Sequence, residues 1–250
     1  MENWWVQAGH GVRFDWGPVG AARLAEGVDC LVVVDVLSFT TSVTVAVESG
    51  ARVFPYPWRD ESARAFADGM DADLAVGRRA ATAASPWSLS PAALRRAPFT
   101  PRLVLPSPNG STIAAAAGES TVLAGSLRNS GAVGRWLADR GYGTPERPVG
   151  VIASGERWPD GSLRPALEDL LGAGAVIAAL RAHGRDRLSP EAATATAAFA
   201  GTEDIAVAVK HSASGRELID GGYGEDVAVA TELDGSTVVP VLTDGAFGAA

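Results

Sequence analysis

The chain has 250 residues, 47% of them hydrophobic and 20% charged, with a mean hydropathy of +0.11; this is enough apolar material for a substantial core and excludes a disordered chain. Its formal net charge is −8, and no run of Lys or Arg makes a stripe that could track phosphates, which argues against a nucleic-acid partner. Cys30 is the single cysteine, so neither an intrachain disulfide nor a cysteine-rich metal cluster can form.

The start, MENWWVQAGHGVRFDWG, lacks the basic and apolar regions of a signal peptide. No apolar run approaches the roughly 20 residues that a membrane span needs. The expected location is the cytoplasm, with no membrane partner.

Short β-like runs alternate with small-residue helical runs along the chain. That pattern predicts a layered α/β fold, a mixed β-sheet flanked by helices, as one domain or as two small lobes sharing a sheet. Strands are expected at 31–36, 52–55, 102–105, 121–124, 148–153, 227–231 and 237–242, and helices at 41–49, 59–68, 129–139, 166–183 and 189–200. In the helix at 166–183, Leu167, Leu170, Leu171, Ala175, Ala178 and Ala179 approximate one apolar stripe. The proline-bearing segment 80–101 reads as a surface loop or flap with one short helical turn. Trp4, Trp5, Trp16 and Trp58 offer an aromatic interface for a homo-oligomer.

In an open α/β sheet, ligands bind beyond the carboxyl ends of strands. Four stretches put polar groups there. In LVVVDVLSFTTSV, Asp35 ends an apolar strand, and Ser38, Thr40 and Thr41 stand where helix amides are free. A carboxylate there suits a divalent cation, and hydroxyls and amides suit phosphate oxygens; the plain alternative is a turn with an N-cap. LVLPSPNGSTIAAAA, residues 103–117, places Ser107, Asn109, Gly110, Ser111 and Thr112 in a turn that resembles a phosphate nest or, equally, a capped tight turn. AGSLRNSGAV brings Ser126, Arg128 and Asn129 after a third strand.

The fourth stretch, residues 151–175, carries Glu156, Arg157 and Arg164, then Glu168 and Asp169 in the first turns of a helix. Neighbouring helical residues diverge by about 100°, so one of those two acids is expected at any one site. Near the C-terminus, Glu225 and Asp226 precede the expected strand at 227–231, as cation ligands or as an exposed turn. His10, His183 and His211 are too scattered for a metal triad.

Taken in order, VVVDVLSFTTSVTVAV, SPNGSTIA, AGSLRNSGAVGRWL, ASGERW with SLRPALEDLLGAGAVI, and GEDVAVAT with VPVL resemble the 2-phosphosulfolactate phosphatase family over roughly residues 5 to 242. The resemblance implies a Mg²⁺-dependent phosphatase on an α/β fold. Its substrate would be a small phosphorylated acid, 2-phosphosulfolactate, and its product sulfolactate for coenzyme M biosynthesis. Matched by motif, Asp35, Asn109 with Gly110, Glu156, and the Glu168–Asp169 pair carry the site. The family's first motif reads like DVLRATT, with Arg and Ala where this chain has Ser38 and Phe39. An arginine there would clamp a phosphate or sulfonate through its planar fork.

The expected assignment follows. Asp35, Glu168 and Arg164 are catalytic; Asp35, Glu156, Asp169 and Asp226 hold Mg²⁺; Thr40, Thr41, Asn109, Gly110, Ser111, Arg128 and Arg157 bind phosphate or substrate. Arg157, Arg164 or Arg128 supplies the missing positive charge. Whether water or Asp35 attacks phosphorus is left open. A haloacid-dehalogenase-like rival would use Asp35 as nucleophile, Ser107 on phosphate and Glu225–Asp226 on metal, but Leu37 stands where its second Asp belongs. A different class, a non-catalytic anion- and Mg²⁺-binding protein on the same fold, is the other alternative.

Overall fold

The strand β2 (Cys30–Val34) follows β1 (Val12–Trp16) and explains the layering by itself. Its side chains alternate between two separate cores. Cys30, Val32 and Val34 belong to one, Leu31 and Val33 to the other, and all five are fully buried. A strand covered on both faces reads as a continuous apolar run because the pleat sends successive residues to opposite sides. The structure is a computed structural model that describes residues 3–58, 60–115 and 120–250. Arg59, where the helix at 59–68 was expected to begin, Ala116 and Ala117 of the nest stretch, and the first two residues lie outside the described residues.

The remaining strands are β3 (Arg52–Tyr56), β4 (Asp73–Leu74), β5 (Arg102–Pro106), β6 (Thr121–Gly125), β7 (Val149–Ala153), β8 (Glu156–Arg157), β9 (Leu163–Arg164), β10 (Pro240–Thr243) and β11 (Ala246–Ala249). Among the described residues, nine strands form one sheet in the order β1-β7-β2-β6-β10-β11-β3-β5-β4, and β8 pairs with β9 in a separate hairpin. Two parallel blocks, β1-β7-β2-β6 and β3-β5-β4, are bridged by the antiparallel β10–β11 hairpin. Each junction of that hairpin is a single register pair, Val241 with Leu123 and Phe247 with Val53.

The helices are α1 (Gly17–Ala25), α2 (Phe39–Glu48), α3 (Glu61–Gly69), α4 (Pro91–Arg96), α5 (Gly110–Ala115), α6 (Ser130–Asp139), α7 (Leu167–Ala182), α8 (Pro190–Ala200), α9 (Ile205–His211), α10 (Ala213–Asp220) and α11 (Gly224–Ala230). None of the described helices is long and apolar enough to cross a membrane. Every residue of α2 from Phe39 to Val47 is buried. A helix covered all round is an interior element rather than a surface one. Phe39, at its start, packs edge-on against Phe247 of β11 with ring centroids 6.3 Å apart.

Three expectations are corrected. Residues 227–231 belong to helix α11 and not to a strand: Val227 and Ala230, at i and i+3, are both fully buried, so helical spacing fills the core where the alternating Val-Ala pattern suggested a strand. The one-stripe reading of α7 also fails. Leu167 is exposed, whereas all residues from Leu171 to Ile177 are buried, because small residues let neighbours approach from several sides; a Cβ on Gly174 would sit 2.2 Å from the Ala195 carbonyl of α8. Finally, β1, β4, β8, β9, β11, α1, α9 and α10 were not anticipated. The other expected strands and helices are present, and the 80–101 segment does contain one short helix, α4. Trp4, Trp5 and Trp58 are exposed and Trp16 is half-buried.

Candidate active site

Asp35 stands one residue beyond β2, and both of its carboxylate oxygens accept backbone N–H groups. Oδ1 takes Phe39 N at 3.0 Å, the first residue of α2, and Oδ2 takes Gly110 N at 3.1 Å, the first residue of α5. One side chain therefore joins two helix starts that belong to different parallel blocks of the sheet. Gly110 is required at this approach, since a Cβ there would meet the Phe39 ring at 2.3 Å. The turn that resembles a phosphate nest is thus occupied from within the protein, by Asp35.

A second aspartate does the same work behind it. Asp169 Oδ1 accepts Val36 N at 2.7 Å and Oδ2 accepts Gly155 N at 2.8 Å, which ties α7 to the ends of β2 and β7. The approach depends on Gly172, one turn along α7, where a Cβ would lie 2.7 Å from Val36. Glu168, 1% exposed, accepts Ser212 Oγ at 3.2 Å. Glu156 accepts Asn109 Nδ2 at 3.1 Å.

These four carboxylates act on one another electrostatically. Burial first, then the charges of Asp35 and Glu168, push Glu156 up to about 7, while Arg164 and the Asn109 hydrogen bond act the other way. Burial and the same two charges hold Asp169 well above the ordinary carboxylate range. Like charges brought together in a water-poor site favour proton uptake unless a cation arrives.

Asp35, Asn109 and Glu156 face a cavity of about 510 Å³ whose other walls include Leu37, Ser38, Arg78, Arg79, Ser107 and Tyr223. Arg78 and Arg79 are the only basic residues among its described lining. Arg78 is held from two sides, with Nε donating to Asp226 Oδ2 at 2.8 Å and Nη2 to Ser38 Oγ at 2.5 Å. No short-range pattern marks it: Arg78 sits in a 3₁₀ turn, Arg78–Ala80, and its partners are 40 and 148 residues away.

The structure brings together Asp35, Asn109 and Glu156 at the cavity, with Glu168 and Asp169 just behind, so both acids of the α7 pair belong to one cluster where one was expected. Arg164 pairs with Glu156 across the β8–β9 hairpin and donates to Glu217 Oε2 at 3.1 Å. Other expected binders are engaged elsewhere. Thr40 Oγ1 bonds to the Asp35 backbone and Thr41 Oγ1 to the Val36 carbonyl, so both hydroxyls fold the loop. Ser111 Oγ is turned to the Tyr56 and Ser107 carbonyls. Arg157 Nη1 donates to Gly161 O on the exposed hairpin.

Arg128, expected on phosphate, lies at the far end of α2 with Glu48 and Glu232 as its partners. Asp226, expected on metal, is 1% exposed and accepts from Arg78, Ser90 Oγ and Ala92 N. Glu225 is on the surface with Arg96, which removes the metal pair of the dehalogenase-like rival. Among the described residues no three His, Cys, Asp or Glu side chains are grouped to cage one metal ion. Of the carboxylates that line the cavity, Glu217 is held by Arg164, and Asp35 and Glu156 in their acid-rich surrounding fit an open oxygen site for a hard cation.

Comparison with known proteins points the same way. A family model described as 2-phosphosulpholactate phosphatase matches residues 21–245. A probable 2-phosphosulfolactate phosphatase of Thermotoga maritima is 28% identical over 221 residues, covering 86% of this chain and 90% of that protein. Another, of Deinococcus radiodurans, is 27% identical over 222 residues, covering 87% and 89%. With five motifs in order, an α/β layered fold and a match along most of its length, the chain belongs to the 2-phosphosulfolactate phosphatase family, a family of phosphoric monoester hydrolases.

Proposed function

We propose that the protein is a Mg²⁺-dependent phosphatase that hydrolyses 2-phosphosulfolactate, or a closely related small phosphorylated acid, to the alcohol and phosphate. The observation that carries this reading is the acid cluster at the cavity, in which burial first, then the charges of Asp35 and Glu168, raise Glu156 to about 7 against Arg164 and the Asn109 hydrogen bond. Acids gathered at depth beside a cavity mark a candidate functional site. Release of sulfolactate for coenzyme M biosynthesis, in the cytoplasm, belongs to the same reading.

Phosphoryl transfer asks a protein chiefly for positioning and for stabilisation of charge on the transferring oxygens. Asp35 and Glu156 are the residues that would hold Mg²⁺, an ion commonly bound by one or two carboxylates together with water and substrate phosphate. When bound, the ion supplies Lewis-acid polarisation of the phosphoryl oxygens. The chain's own residues do the rest. The Phe39 and Gly110 amides fix the Asp35 carboxylate, Asn109 orients Glu156, and Leu37, Leu89 and Leu218 on the cavity wall limit water and so strengthen every charge interaction inside.

The test is phosphate release from 2-phosphosulfolactate and from a panel of small phosphomonoesters, with Mg²⁺ and with EDTA. Metal-dependent release is expected, strongest for substrates that carry a second acid group. No release from any of them by folded protein that still binds Mg²⁺ would replace the enzyme reading with that of a non-catalytic anion- and Mg²⁺-binding protein.

A further inference from the structure

The cavity is acidic at one wall, yet the substrates that suit it are anions. A substrate with a second acid group needs something in it to meet that group, and the arginine that the resemblance leads one to expect in the first motif is absent here because Ser38 occupies the position. The Ser38 hydroxyl instead receives a hydrogen bond from Arg78 Nη2. A guanidinium is therefore delivered to that place from a different segment of the chain.

We propose that Arg78 is the residue that binds the second acid group of the substrate, a carboxylate or sulfonate, replacing at the same wall the arginine that the first motif lacks. The proposal rests on the phosphatase reading and names the residue that decides its substrate class.

Three features favour Arg78 over the other basic residue of the cavity, Arg79. First, Arg78 is preorganised: Asp226 holds its Nε, Ser38 holds its Nη2, and its guanidinium carbon lies 5.6 Å from the centre of the Tyr223 ring. Its side chain is 17% exposed, whereas Arg79 is exposed. A fixed fork loses less entropy on binding than a free side chain. Second, Nη1 takes no partner among the described residues, which leaves it for a ligand while the other two nitrogens position the group. Third, the anchor is itself anchored. Asp226 is bound by Ser90 Oγ at 2.5 Å and Ala92 N at 3.2 Å, so its charge is shared among several donors and not spent wholly on Arg78.

The competing role is a structural clasp, in which Arg78 and Asp226 only tie the 3₁₀ turn and α4 to α11. The two roles separate by substrate. The variants are Arg78→Ala, Arg78→Lys, which keeps a charge for Asp226 but loses the fork, and the exchange Ser38→Arg with Arg78→Ser. The substrates are 2-phospholactate and isopropyl phosphate, which share a branched carbon and differ in the carboxylate. Circular dichroism checks that each variant is folded.

For substrate binding, Arg78→Ala should raise KM for 2-phospholactate about tenfold or more, the size of one lost charge-assisted hydrogen bond. The preference for it over isopropyl phosphate should fall by the same factor. Arg78→Lys should recover only part of that preference, and the exchange should recover more than Arg78→Ala. Equal losses on both substrates, with the preference kept within about twofold, would overturn the proposal in favour of the clasp. If wild-type protein hydrolyses neither of these nor 2-phosphosulfolactate, the phosphatase reading fails by itself, and calorimetry with sulfolactate then tests Arg78 directly. Binding by wild type that Arg78→Ala loses supports the proposal, and equal binding or none overturns it.

Discussion

The two ends of α2 carry two clusters of charge built on opposite principles. At the far end, the buried Arg128 meets Glu48 and Glu232, and Arg95 meets Glu232 from the surface, so two cations face two anions. At the start, Asp35 stands with Glu156, Glu168 and Asp169, and Arg164 on the neighbouring hairpin is the cation that acts on Glu156. The balanced cluster closes the helix against α4 and the chain after α11. The acid-rich one opens on a cavity. Buried charge met by opposite charge holds structure, and buried acids gathered at a cavity are where perturbed proton affinities mark a candidate site.

The sharpest way to break the comparison is at Asp35. Asp35→Asn keeps the shape but replaces an acceptor by a donor that faces an amide, and it removes a charge from the cavity wall. Phosphate release should drop by about 10²–10³, equivalent to about 3–4 kcal/mol, measured as kcat/KM at saturating Mg²⁺. Activity surviving that change would show that Asp35 is not used.

Arg128→Ala makes the converse test. It removes a 2% exposed side chain from the balanced cluster, and because Glu48 and Glu232 are partly solvated the loss should be about 2–3 kcal/mol of stability. Denaturant titration measures this, and kcat/KM should stay within about twofold. A large loss of activity in protein that remains folded would return Arg128 to the site.

The smallest effect is the dependence on pH. Glu156 has a folded value of about 7, above its unfolded value of about 4.3, so between these the native state holds a proton that the unfolded state has lost. Stability therefore falls as pH rises through that window, and the raised Asp169 acts in the same direction. Glu156→Gln should be more stable than wild type above pH 7, on the order of 1–2 kcal/mol, and level with it near pH 4. Adding Mg²⁺ should narrow the gap by stabilising wild type alone, as read by thermal unfolding at several pH values. A gap that does not change with pH would mean that Glu156 is not raised by its neighbours.

Some of this was legible from residues alone. Asp35 at the end of LVVVDV stood out because a carboxylate on a fully apolar strand needs a partner, and the order of motifs gave the family. Asn109, Gly110 and Glu156 were found because each follows a strand, where α/β folds place their sites. At the expected nest the Gly110 amide goes to the Asp35 carboxylate, and nothing local announces a partner 75 residues away. Arg128 misled for the same reason: a strand, hydroxyl and helix pattern repeats at both ends of α2, and only packing separates them. The Val-Ala alternation at 227–231 misled because it fits a strand locally, whereas Val227 and Ala230 are buried at helical spacing.

Sequence by itself determined the apolar strands, most helices, the family and the acids, because these depend on residue chemistry and on periods of two or 3.6 residues. Tertiary structure alone decided which charges meet opposite charges and which gather with other acids. Arg78 reaches Ser38 and Asp226, and Arg128 reaches Glu48 and Glu232, through contacts 40 to 148 residues apart. The free energy of a buried charge depends on what surrounds it in space, and that is not a property of its neighbours in the chain.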